Sequence, residues 1–307
     1  MKKNAAVIGY GGMGAGFHCK NLLTSDVCNL AGIYDIDPAK RELAASRGVK
    51  VYNTREELLA DPSIDLVTIA TPNELHKPLA IKAMAAGKNV ISEKPVTMNS
   101  GELEEIMAVV KETGKTFTID QNRRTNRDFV LMRRNAESGI IGKPIVIESR
   151  VEGSRGMPRG WRTLKELGGG AAYDLLVYCY ELMEYFMGIP EKVENVAVHW
   201  ASTGVDETET VTLRYPWGLA TLTASIGVRL DERTVLMGDK VDGRKEFLAK
   251  YANFNKKDSF MEQLEKKVDL HNGAVERLYK VERHLEVDDE KIKIINHRIE
   301  DLEGYHK

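Results

Sequence analysis

Cysteine is scarce in this 307-residue chain: Cys19, Cys28 and Cys179 are the three it has, and none has the spacing of a metal or redox pair. A reducing compartment is therefore expected, with the cytoplasm as its location. The seven histidines are scattered, without a ligand pair at helical spacing, so no metal is expected either. No apolar run reaches the roughly 18 residues that a membrane span needs. The most apolar segment, 171–189, is broken by Asp174, Glu181 and Glu184. Met1-Lys2-Lys3 followed by Ala5-Ala6-Val7-Ile8 is too short an apolar stretch for a leader and runs into glycines. Charge of one sign is lacking as well. The 44 basic and 46 acidic residues leave a net charge of −2, so neither a nucleic acid nor a membrane surface is an expected partner.

What is present is the balance of an ordinary globular protein, 42% apolar and 29% charged, at a length suited to about two domains. The first 120 residues or so alternate strand and helix signals. Runs rich in Val and Ile at 5–8, 29–34, 49–52, 65–70, 89–92 and 116–119 read as strands. Asp37-Pro38 reads as an N-cap followed by a first-position proline. Thr54 with Glu57 and Asn99 with Glu102 have capping-box spacing, and Gly87 sits where a helix should stop. Alternation of this kind predicts a parallel, doubly wound sheet of α/β class. Beyond it the pattern predicts a charged helix at 126–138, a strand at 144–152 and an apolar helix near 170–187. Strands at 193–201, 207–215, 218–227 and 233–238 should then form an antiparallel sheet with one covered face. The expected divisions are a dinucleotide-binding domain over 1–124, a smaller α+β domain over 125–250 and a helical tail over 251–307.

Gly9-Tyr10-Gly11-Gly12-Met13-Gly14 fits G-x-G-x-x-G directly after a strand and before a helix. In that setting backbone N–H groups and the helix dipole can meet a pyrophosphate. Asp35, at the end of the second strand and about 20 residues past the last glycine, suits the adenosine ribose hydroxyls. A carboxylate there would repel the extra phosphate of NADP, so NAD is the expected cofactor. No Tyr-x-x-x-Lys occurs, which removes the short-chain dehydrogenase pattern.

Two further stretches carry a resemblance. Ala70-Thr71-Pro72-Asn73 with His76, then Gly87-Lys88-Asn89-Val90-Ile91-Ser92-Glu93-Lys94-Pro95, resemble the glucose–fructose oxidoreductase / inositol dehydrogenase (Gfo/Idh/MocA) family. The likeness runs from residue 4 to about 240. It implies a Rossmann domain and an α+β domain whose open sheet often mediates oligomers, so a homo-oligomer is expected. It implies hydride transfer between a nicotinamide cofactor and a hydroxyl or keto group of a sugar, cyclitol or diol. Carried over, Lys94 would touch the nicotinamide ribose and the substrate oxygen, aimed by a cis bond before Pro95. Thr71, Pro72, Asn73, His76 and Glu93 would belong to the cofactor site. The segment Gly168-Gly169-Gly170 followed by Asp174 and Tyr178 resembles the family's glycine triplet and Asp-x-Gly-x-His helix. Leu176 stands for the usual glycine and Tyr178 for the commonest histidine, and some members carry tyrosine there. Lys94, Asp174 and Tyr178 are thus the candidate catalytic residues, with a lysine cation supporting the tyrosine's anion. Arg155, Arg123, Trp161 and Arg162 are candidates for holding a polyol or carboxylate.

The last 50 or so residues depart from the family. Ser259 and Glu262 have capping-box spacing, and Leu264, Val268, His271, Val275 and Leu278 step at heptad intervals. Leu285, Asp288, Ile292, Ile295, Ile299 and Leu302 resume the seam after a phase shift at Val281. A coiled coil and two amphipathic helices folded back on the second domain both fit. The altered helix motif and this tail leave a second function open: a nucleotide-binding scaffold or sensor without turnover, assembled through the tail.

Overall fold

The computed structural model describes residues 2–153 and 160–240, and the backbone of 247–250. By their contacts these fall into two compact units, one ending at Asp120 and the other beginning at Gln121. The heptad seam, Arg155 and the 251–307 division lie outside the described residues. Among the described residues no helix is long and apolar enough to cross a membrane.

The first unit is built on β1 (Lys3–Ile8), β2 (Cys28–Tyr34), β3 (Leu66–Ile69), β4 (Asn89–Ser92) and β5 (Phe117–Ile119). All pair in parallel, in the order β2-β1-β3-β4-β5. The intervening helices are α1 (Lys20–Leu23), α2 (Pro38–Ser46), α3 (Arg55–Ala60), α4 (His76–Ala85) and α5 (Ser100–Thr113). The strands read as nearly continuous apolar runs because both faces are covered. On one face Ala6, Ile8, Val67, Ile69 and Val90 pack with Leu79, Met84 and Ile106. On the other Val7 and Ile33 pack with Tyr10, Cys19 and Ala44. The chain leaves β1 toward β2 and returns past it to β3, so the strand order reverses at β1. In sheets of this class ligands bind at the carboxyl ends of the strands near that point.

The helix starts follow their caps. The Asp37 carboxylate accepts from Ala39 N at 2.9 Å, and Thr54 and Glu57 form the reciprocal box. Asn99 accepts from Glu102 N, but Glu102 accepts in return from Met98 N, one residue earlier than the box pattern. The 49–52 run is a correction: it makes a single parallel bridge, Ile33 to Val51, rather than a strand. The pairing there is confined to Ile33, whose N–H donates to Lys50 O and whose carbonyl accepts from Tyr52 N.

The second unit holds α6 (Arg127–Glu137), β6 (Pro144–Glu152), α7 (Val177–Met187), β7 (Lys192–Trp200), β8 (Asp206–Tyr215), β9 (Gly218–Ser225), β10 (Arg233–Gly238) and β11 (Phe247–Lys250). They form a six-stranded sheet in the order β11-β10-β6-β9-β8-β7. It is mostly antiparallel, but β6 and β9 pair in parallel, which the alternation of residues alone could not reveal. Cys179, Met183 and Met187 of α7 pack on Ile147, Val211, Leu213, Ala220, Leu222 and Leu236. Leu222 is fully buried, and truncating such a residue to alanine typically costs about 2–5 kcal/mol.

Candidate cofactor and active site

The glycine loop is shaped by two close approaches. Gly9 has φ +97°, and a Cβ there would sit 2.3 Å from the carbonyl oxygen of Ala70. A Cβ on Gly14 would lie 1.8 Å from Gly9 O. These two residues bring the loop against the ends of β1 and β3. Gly11 and Gly12 differ, because a Cβ at either meets nothing within 4 Å. The open side of the loop is therefore bare backbone at the start of a helical run, a cradle that fits a pyrophosphate. The run from Gly12 to Leu23 is not uniform, since Gly14–Cys19 is wound as a π-helix. Such turns recur at functional sites.

Asp35 is 5% exposed and ties this loop to the end of β2. Its Oδ2 accepts from Tyr10 N at 2.6 Å and its Oδ1 from Asp37 N at 2.9 Å. Each carboxylate oxygen retains a second lone pair for a further donor. Lys40 Nζ stands 3.7 Å from Oδ2, and Arg41 donates to the Asp35 and Ile36 carbonyls.

The loops after β3 and β4 are braced by buried histidines. His76 is fully buried, with Nδ1 2.7 Å from Pro95 O and Nε2 3.1 Å from Thr71 O. Burial lowers its pKa, opposed by the contacts with the Pro95 and Thr71 carbonyls. Asn73 is also buried, whereas Thr71 and Pro72 are half-buried. Glu93 is buried and lies 2.7 Å from His18 Nε2, with Asp120 Oδ2 at 3.9 Å from the same nitrogen. His18, Glu93 and Asp120 are close enough together to share a cation, but the direct His18–Glu93 bond makes them a hydrogen-bonded set. Sequence reasoning missed His18. Nothing local marks it, since its partners arrive from β4 and β5. Lys94 follows Glu93, and the Lys94–Pro95 bond is cis.

In the second unit, Ala172–Leu176 is a π-helical turn leading into α7, and its first N–H groups are capped by Asp206. Asp206 is buried, which raises its pKa. Three residues along the same strand, Glu209 is pushed up to about 7 by burial and by Asp206. Asp174 lies in the π turn, and Arg162 Nε donates to its Oδ2 at 3.2 Å. The same guanidinium stands 4.4 Å above the Trp161 ring. Tyr178 is half-buried at the start of α7, at the edge of the core. Arg123 lies over its ring at 4.3 Å and donates to Glu232 Oε1 at 3.0 Å. Two arginines expected to meet a substrate thus rest on Asp174 and Tyr178. Leu176 is 1% exposed and turned into the core, so its bulk does not narrow the surface around Tyr178.

Both units match known families in succession. Residues 3–121 match the model described as oxidoreductase family, NAD-binding Rossmann fold. Residues 129–242 match the GFO/IDH/MocA C-terminal domain. The chain belongs to the Gfo/Idh/MocA family of NAD-binding oxidoreductases. It is 31% identical to the myo-inositol 2-dehydrogenase of Thermotoga maritima over 192 residues, covering 62% of this chain and 56% of that protein. It is 32% identical over 196 residues to the trans-1,2-dihydrobenzene-1,2-diol dehydrogenase of Mus musculus, covering 62% and 58%. The crystal structure of an NAD-binding protein from Listeria innocua superposes with a TM-score of 0.71 at 37% identity, covering 78% of this chain and 69% of that one. This family member spans about half the length of the curated relatives it matches.

Proposed function

We propose that the protein transfers a hydride between NAD(H) and a carbon bearing a hydroxyl or keto group in a sugar, cyclitol or diol. The observation that carries this reading is the setting of Lys94. Its two neighbours are anchored by buried histidines, Glu93 by His18 and Pro95 by His76, so the turn at the end of β4 is rigid. A rigid turn that presents one ammonium group suits a reaction in which a substrate oxygen must be held to a fraction of an ångström. Two relatives are named for a cyclitol and a cyclic 1,2-diol, which agrees with the substrate class.

The glycine loop and Asp35 would hold the dinucleotide, which when bound supplies the acceptor or donor of the hydride. The chain's own residues handle the proton. In the oxidative direction Tyr178 Oη takes it from the substrate hydroxyl while Lys94 Nζ stabilises the charge developing on that oxygen. Asp174, oriented by Arg162, accepts a hydrogen bond from a neighbouring hydroxyl, and Trp161 offers an apolar face to the ring carbons. The test is steady-state turnover with NAD across a panel of cyclitols, aldoses and diols. NADH formation with vicinal diols is expected. Tight cofactor binding without turnover on any member would sink the enzyme reading in favour of a nucleotide-binding scaffold.

A further inference from the structure

The guanidinium of Arg123 meets both a carboxylate and an aromatic ring. Nη1 donates to Glu232, and Cζ lies 4.3 Å from the centroid of the Tyr178 ring. Both partners of the ion pair are largely shielded, with side chains 18% and 25% exposed. Tyr178 also packs against the core cluster, so its ring has an apolar contact as well as the cationic one. Building on the proton role given to Tyr178, we propose that Arg123 is a positioning residue that fixes the Tyr178 ring and favours its oxyanion, and that Glu232 limits how strongly it does so.

The chemistry follows from the groups. A guanidinium keeps its proton throughout the working range, so its charge is permanent. A cation over an aromatic face is attracted by the ring's quadrupole. Once the phenol loses its proton the attraction becomes that of two opposite charges, so the pairing grows in the state that accepts a proton from substrate. Glu232 works against this by drawing charge toward itself. Burial raises the pKa of Glu232, whereas Arg123 lowers it. Other charged and titratable groups bear on the pair. Asp128 of α6 and Glu152 of β6 act on Glu232, and the Cys179 thiol of α7 senses both Arg123 and Glu232. Asp174, one turn before Tyr178, is engaged by Arg162, and Glu181, just beyond, by Arg124.

The experiment is a titration of the 307-residue chain carrying tyrosine labelled with carbon-13 at Cζ, whose shift reports ionisation. There are 11 tyrosines, so Tyr178→Phe assigns the resonance. Arg123→Gln should raise the Tyr178 midpoint by about one unit or more, and Arg123→Lys by less. Glu232→Gln should lower it, because the guanidinium is then left to the ring. A midpoint unmoved in Arg123→Gln overturns the proposal. So does an equal upward shift in Arg123→Gln and Glu232→Gln, which would mean general loosening. Should Arg123→Gln fail to fold, Arg123→Lys and Glu232→Gln must still move the midpoint in opposite directions, or the proposal fails. The acid limb of kcat/KM should move in step with the resonance. If the resonance shifts as expected while the rate profile stays fixed, the pairing stands and Tyr178 loses its proton role.

Discussion

His76 joins two loops through one buried ring, its Nδ1 2.7 Å from the carbonyl oxygen of Pro95 and its Nε2 3.1 Å from that of Thr71. A neutral imidazole has one N–H to give, and the shorter contact, to Pro95, is where we assign it. Burial is the larger influence and lowers the pKa from 6.5, so the folded protein binds this proton less readily than the unfolded chain. The stabilisation is therefore complete above the unfolded value and is lost as pH falls through the lowered folded one. Urea unfolding of the wild type and His76→Gln across about pH 5 to 8 checks this. The stability gap between them should narrow as the solution becomes acidic. A gap that widens would show that the ring is held as an imidazolium by both carbonyls.

The glycine loop separates packing from binding. Gly14→Ala places a Cβ 1.8 Å from Gly9 O, and backbone has nowhere to retreat. A loss of more than about 2 kcal/mol is expected in urea or thermal unfolding. Gly12→Ala meets open space in a helical position, so stability should hold or rise by up to about 1 kcal/mol. Its NAD(H) affinity should nevertheless fall, because the methyl group intrudes where the phosphates would approach. Calorimetric titration beside the melts distinguishes the two. Unchanged NAD(H) binding in Gly12→Ala would show that the cradle is not used.

Much of this architecture was legible because local chemistry and tertiary structure agree. Asp37, Thr54 and Gly87 mark helix ends with bonds made within a few residues, and the strand runs of the first unit are apolar on both faces. The features that escaped are those set by distant partners. The β6–β9 pairing joins segments some 70 residues apart, and a strand's residues do not record its neighbour's direction. His18 gains its meaning from Glu93 and Asp120, and Arg123 from Tyr178 and Glu232. The direction of Leu176 depends on how the π turn winds into α7, which its apolar character alone does not settle.

Cofactor choice should hinge on Asp35. The carboxylate is buried beside the glycine loop and would face the ribose hydroxyls, so NAD(H) is expected to bind more tightly than NADP(H). Lys40 and Arg41 stand close by, held by the carboxylate and carbonyl oxygens of Asp35. Asp35→Ser would free these cations for a 2′-phosphate while removing the repulsive charge. The ratio of NADP(H) to NAD(H) affinity should rise in the variant, read by NADH and NADPH fluorescence titration. Tighter NADP(H) binding by the wild type would overturn the assignment.

The proton-transfer pair gives the sharpest prediction. Tyr178→Phe retains the ring that packs at the core edge and under Arg123, and removes only the hydroxyl. Loss of a positioned proton donor typically slows turnover by about 10²–10⁴-fold. A fall of that size in kcat is expected on the best substrate found, with NAD affinity and stability nearly intact. Lys94→Met should slow turnover similarly and weaken the cofactor slightly, because its ammonium would lie at the ribose as well as at the substrate oxygen. Tyr178→His should retain part of the activity with its optimum moved toward acid, since an imidazole titrates several units below a phenol. Profiles of kcat and kcat/KM against pH on the four proteins decide the matter. Wild-type turnover in Tyr178→Phe would mean that the proton leaves by another route and that the tyrosine serves only packing.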